Sequence, residues 1–173
     1  MERPLTEDDF ETLLSNATES AIHLELRDAY MADDSFTAWL RTGVVVDDDP
    51  ADAWWRSVVR AAVARGVGVK RARVISEPVS DYVRWEWACT EPVNVAAGEK
   101  VRWLPRHLTT GLCVPPSDFW VFDSQVVVWN HFSGAGEWSG HEVVRDPHLA
   151  ENCATAFETV WDRGIDHRDY RPS

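Results

Sequence analysis

Between Asp118 and Trp161 the chain has almost no spare residues, and this stretch limits the possible folds more than any other. Phe119-Trp-Val-Phe122 is an apolar run closed by a tight turn at Asp123-Ser124. Val126-Val-Val-Trp129 is a second, β-branched run, and His141-Glu-Val-Val144 is a shorter third. Gly134, Gly136 and Gly140 lie between the last two, and Asp146-Pro147 opens a helix that ends near Arg163-Gly164. The order is strand, turn, strand, glycine loop, strand, helix.

Upstream, Thr6-Glu-Asp-Asp9 reads as an N-cap with acids in the first helical turn, where the helix dipole favours them. Apolar residues at helical spacing then predict a helix over 7–19. Ile22, Leu24 and Leu26 alternate with His23, Glu25 and Arg27, which predicts a half-buried strand. A short helix is expected around Phe36–Leu40. The loop from Gly43 to Asp49 holds three consecutive acids, read as solvated. Pro50 starts a helix whose stripe is Trp55, Val58, Val59 and Ala62, and Gly66 ends it. Val67–Ile75 is a strand, and a helix capped by Ser76 or Ser80 carries Tyr82, Trp85 and Cys89 on one face. Thr90-Glu-Pro92 is expected to restart that helix, with Thr as cap and Pro in the first position, until Ala97-Gly98. Val101–Leu104 is a further strand. Residues 164–173 read as a polar, loosely ordered tail.

These elements predict one α/β domain over 1–173, a mixed β-sheet sandwiched by helices. Residues 1–66 form a helical N-terminal extension with one strand, 67–163 the α/β core and 164–173 the tail. The length suits one core of ordinary size, and no apolar run approaches the ~20 residues of a membrane span. The acidic start lacks the layout of a signal peptide, so cytoplasm is the expected location. The three cysteines, Cys89, Cys113 and Cys153, have neither metal spacing nor a disulfide framework.

A net charge of −12 argues against binding a nucleic-acid backbone, which requires cations. The charge is uneven: Arg56 to Arg106 carries ten Lys or Arg against five acids, and the remainder seven against 24. That pattern fits either a basic patch on an acidic body or ion pairs between segments. Ten tryptophans leave room for an aromatic pocket or partner surface besides the core.

Leu24-Glu-Leu-Arg-Asp28, Arg71-Ala-Arg-Val-Ile-Ser-Glu-Pro78, Asp81-Tyr82, Ala97-Gly-Glu99, Arg102-Trp-Leu-Pro105 and Asp118-Phe-Trp-Val-Phe-Asp123 resemble a family of bacterial proteins of this length. That family is often encoded beside helix-turn-helix regulators and has no established activity. Residues 67–163 also resemble one half of a phospholipase D-type phosphodiesterase. Its signature is His-x-Lys, four residues, Asp, six residues, Gly-Ser-x-Asn; the His is the nucleophile, and the Lys and Asn hold phosphate. The resemblance anchors on Asp123. It then puts Pro116 at the His position, Asp118 at the Lys position and Asn130-His131-Phe132-Ser133 at Gly-Ser-x-Asn. The implied fold is a phospholipase D-like half-fold whose nucleophile and phosphate-binding cation are missing.

Two groups of side chains are candidates for chemistry. His131, Asp123 and Glu142, with His141 beside them, would make an acid/base group if the chain is an enzyme. The plainer assignment is strand-end histidines bonded to backbone carbonyls. Arg71, Arg73, Arg84, Arg102 and Arg106, with Asp81 and Tyr82, would line an anion site, since paired guanidiniums grip phosphate or carboxylate. The plainer assignment there is salt bridges to Glu77, Asp81, Glu86 and Glu99. The glycine loop lacks the strand-to-helix context of a phosphate cradle.

The expectation is a non-catalytic binding or regulatory module that works with a protein partner, a DNA-binding helix-turn-helix regulator. Two other readings stand beside it: a hydrolase or phosphodiesterase with a rebuilt site, and a sensor of a small anionic ligand. No cofactor, no metal, no membrane and no direct nucleic-acid contact are expected, and the sequence leaves the oligomeric state open.

Overall fold

The computed structural model describes residues 5–30, 34–46 and 49–173. Residues 1–4, part of the acidic start, and 47–48, part of the acidic loop, lie outside the described residues. The elements in chain order are α1 (Glu7–Asn16), β1 (Ser20–Glu25), α2 (Asp34–Thr42), α3 (Pro50–Ala64), β2 (Gly68–Ile75) and α4 (Asp81–Cys89). They continue with β3 (Lys100–Pro105), β4 (Asp118–Phe122), β5 (Val126–Phe132), β6 (Trp138–Val144), α5 (Pro147–Arg163) and β7 (Ile165–Asp166). Thr6 caps α1 in a reciprocal box with Asp9, and Asp146 caps α5.

Among the described residues the seven strands join one mixed sheet in the order β6-β5-β4-β1-β2-β3-β7. β1, β2 and β3 run parallel, and the hairpins β4-β5-β6 join antiparallel to β1. Strand alternation gives the two faces different contents. One face presents Ile22, Leu24, Ala72, Val74, Phe119 and Val121 to Ala150, Cys153, Phe157, Val160 and Trp161 of α5. The other presents Ala21, Val69, Trp120 and Phe122 to α1 and α3 at one end of the strands. Further along the same face come His23, Glu25, Arg71, Arg73 and Asp118, all buried.

Three local expectations are corrected. β1 is buried on both faces rather than half-buried, because it is a central strand between β4 and β2 with helices on either side. The helix does not restart at Thr90. Thr90 has helical backbone angles (φ −61°, ψ −43°), so α4 runs on through a wide π-type turn, Thr90–Asn94, that accommodates Pro92. Residues 164–173 are ordered: β7 pairs with β3, and Tyr170 is buried with its ring stacked on Trp103. Among the described residues no helix is long and apolar enough to cross a membrane.

Candidate functional site

A cavity of about 400 Å³ opens between α3, α4 and the polar stretch of the sheet face opposite α5. Its floor is built by period-2 alternation: His23 and Glu25 on β1, Arg71 and Arg73 on β2, and Asp118 at the start of β4. The roof comes from α4, where Tyr82, Trp85, Glu86 and Cys89 follow helical spacing. Trp55 of α3, Tyr30 and Phe132 complete the apolar wall.

The two arginines are committed to carboxylates inside the protein. Glu25 bridges them, accepting from Arg71 Nη1 on one oxygen and from Arg73 Nε at 2.5 Å on the other. Arg71 Nε also donates to Glu99 at 2.7 Å, and Glu99 is held further by Asn94 at 2.6 Å and Trp55 Nε1 at 3.1 Å. Arg73 Nη1 donates to the Thr90 hydroxyl at 2.6 Å, and its Nη2 lies 3.4 Å from Glu86. Rings flank both guanidiniums, Trp55 and Trp120 near Arg71 and Trp103 near Arg73.

The remaining polar groups are less well compensated. Burial pushes the Glu86 carboxyl up to about 7, against the pull of Arg73. Burial likewise raises Asp118 to about 6, although Tyr30 Oη and the Leu26 amide donate to it. His23 is stacked on Trp120, with ring centroids 4.1 Å apart, and burial lowers its pKa well below the ordinary value. Its Nδ1 is 3.4 Å from Glu25 Oε1, but among the described residues neither ring nitrogen makes a hydrogen bond.

Of the residues singled out in the sequence, Arg71, Arg73 and Tyr82 line the cavity. Asp81 and Arg84 are exposed on α4. Arg102 lies on the α5 side, donating to the Trp161 carbonyl at 2.8 Å. Arg106 ties strand ends together through the carbonyls of Leu26 and Val74 at 2.7 and 3.0 Å. His131 and Glu142 form an exposed pair at 3.3 Å. Asp123 is at the opposite end of β4, about 16 Å away by strand rise, so these three do not make one site. Its carboxylate accepts the amides of Thr18, Glu19 and Ser20 at 2.8–2.9 Å. Burial works to raise its pKa, but those amide bonds win and hold it below the ordinary value.

His23, Glu25, Tyr30, Glu86 and Glu99 were missed as site residues. The available signal was the alternation His23-x-Glu25, in register with Arg71-x-Arg73. Among the described residues no three or more His, Cys, Asp or Glu converge as a metal-binding group.

Residues 8–172 match a family model described as a domain of unknown function (DUF6879). The chain belongs to this family. No curated protein matches it. Among solved structures, it is similar to Nuc, a phospholipase D family member from Salmonella typhimurium. That match has a TM-score of 0.52 and 17% identity over 93% of this chain and 88% of Nuc. It is also similar to TrmBL2, an archaeal chromatin protein whose structure shows a novel mode of DNA binding. There the TM-score is 0.51 with 13% identity, covering 90% of this chain and 48% of that one. At these identities the likeness is one of fold. The mixed seven-stranded sheet flanked by helices is similar to the phospholipase D family fold.

Proposed function

We propose that the chain is a non-catalytic binding module on a phospholipase D-like half-fold, working with a DNA-binding regulator of the helix-turn-helix type. One observation carries the first part. Laid on the β4–β5 hairpin, the phospholipase D pattern puts its phosphate-gripping lysine at Asp118, a buried carboxylate at the cavity floor. An acid there repels a phosphoryl group by an amount on the order of several kcal/mol in a poorly solvated site. The arginines do not replace that lysine, because Glu25 and Glu99 already neutralise them.

The charge supports a basic protein partner: at −12, with 24 acids outside the Arg56–Arg106 segment, this chain complements a DNA-binding surface better than DNA itself. The test is titration calorimetry of the chain with the helix-turn-helix regulator encoded nearest to it. The expected result is a complex that weakens at least about tenfold as salt rises from about 50 to 500 mM. No complex, or one indifferent to salt, counts against the partner.

A hydrolase with a rebuilt site is the second reading, favoured by one observation. His23 is a neutral imidazole in the cavity wall beside Glu25, and the neutral imidazole is the form that can attack or take a proton. Turnover of bis(p-nitrophenyl) phosphate, with or without divalent metal, that disappears in His23→Ala or His131→Ala would promote this reading over the first.

A further inference from the structure

We propose that the cavity binds a cationic hydrogen-bond donor, a guanidinium or primary ammonium group on an aliphatic stem, with its charge between Glu86 and Asp118. This deepens the binding-module reading and rests on it.

Charge is the first argument. Four buried or nearly buried carboxylates, Glu25, Glu86, Glu99 and Asp118, surround two guanidiniums, and the neutral His23 adds no charge. Asp49 and Asp52 add two more acids to the lining. Glu25 and Glu99 spend their charge on Arg71 and Arg73. The excess falls on Glu86 and Asp118, so an anion entering here meets net repulsion and a cation net attraction.

His23 gives a second, independent argument. The side chain forms part of the cavity wall, the residue is only 7% exposed, and among the described residues neither ring nitrogen has a hydrogen-bond partner. With Nδ1 facing the Glu25 carboxylate, the proton is assigned to Nδ1 and Nε2 is left as an acceptor without a donor. A buried acceptor without a partner is costly, and a ligand donor removes that cost once the ring turns Nε2 to the cavity it lines.

The walls supply the third argument. Tyr82 and Trp85 of α4 pack edge to face at 5.2 Å, and Tyr30 packs on Phe132 at the same separation. Such rings attract a cation over their faces and cover an apolar stem. Burial is the main cause that raises the pKa values of Glu86 and Asp118, and a cation seated between them favours their ionised forms. The charged or titrating groups facing Glu86 are Arg73, Glu25, Arg71 and Asp118; those facing Asp118 are Tyr30, Glu25 and Arg27.

The experiment is calorimetry and tryptophan fluorescence on the full chain with agmatine, with a short peptide carrying one internal arginine, and with inorganic phosphate and succinate. The expected result is saturable binding of agmatine or the peptide, at least about tenfold weaker in Glu86→Gln. Tyr82→Leu should also weaken it, and His131→Gln should not. Tighter binding of the peptide than of agmatine assigns the site to a partner's side chain, and the reverse order to a free amine; both support the inference. Phosphate or succinate binding as tightly as agmatine overturns it. So does agmatine binding that neither Glu86→Gln nor Tyr82→Leu changes, each variant being checked for folding by circular dichroism. Silence toward both cations overturns this inference alone, because the regulator complex is measured separately; phosphodiester turnover sinks the module reading and this inference with it.

Discussion

Glu25 holds two guanidiniums with one carboxylate in a place water hardly reaches. Replacing an internal ion pair by well-packed apolar residues can be neutral, but removing one partner leaves the other charge uncompensated. Here a single deletion leaves two. Arg71 keeps Glu99, and Arg73 keeps Thr90 and the more distant Glu86, so the loss is partial. Glu25→Gln is therefore expected to cost about 3–5 kcal/mol in urea denaturation. Glu142→Gln, which breaks the exposed pair with His131, is expected to stay within about 0.5 kcal/mol. A Glu25→Gln variant as stable as the parent would mean that this network does not organise the sheet face.

At the scale of elements, the last nine residues hold more than their polarity suggests. Tyr170 stacks on Trp103 with ring centroids 5.5 Å apart, its hydroxyl donates to Glu77 at 2.9 Å, and Trp103 Nε1 donates to His167 at 3.1 Å. Tyr170→Ala should therefore cost about 3 kcal/mol by differential scanning calorimetry, as for a buried aromatic and not for a tail residue. Such contacts leave no local mark: a two-residue strand has no periodicity, and its partner β3 lies more than 60 residues upstream. Elements with their own signals were legible, among them α1 with its Thr6 cap, α3 from Pro50 and the β4–β5 hairpin around Asp123-Ser124. The site was half legible. Arg71 and Arg73 stood out as a same-face pair, but His23 and Glu25 alternate with leucines as any surface strand would. Only pairing with β2, some 48 residues away, turns that polar face inward. The helix through Pro92 was illegible for a similar reason, since the Thr90 hydroxyl that looked like a cap is used by Arg73.

For the whole molecule, opposing internal titrations set the pH dependence of stability. His23, His141 and His167 have pKa values lowered from 6.5, each mainly by burial. As pH falls below 6.5 the unfolded chain takes up protons that these folded histidines refuse. The stability they contribute is present above 6.5 and is lost in acid. Glu86 has the opposite sign. Its folded carboxyl titrates at about 7, against 4.5 unfolded, so its contribution is full below 4.5 and is lost as pH rises through 7. Asp118, raised to about 6 from 3.8, acts the same way at lower pH and offsets part of the histidine loss. On the acid side the histidine and carboxyl contributions oppose each other, and above 6.5 the unfolded imidazoles, still half protonated there, keep a rising slope against the falling one of Glu86. Glu86 alone should remove about 1 kcal/mol between pH 6.5 and 8, and a histidine gain of similar size offsets it, so the parent's thermal unfolding should stay nearly level across that window. Glu86→Gln removes this loss and keeps the histidine gain, so its thermal stability should rise by about 1 kcal/mol relative to the parent between pH 6.5 and 8. A difference between parent and Glu86→Gln that stays flat from pH 6.5 to 8 would contradict a Glu86 carboxyl that titrates near 7 in the roof of the cavity.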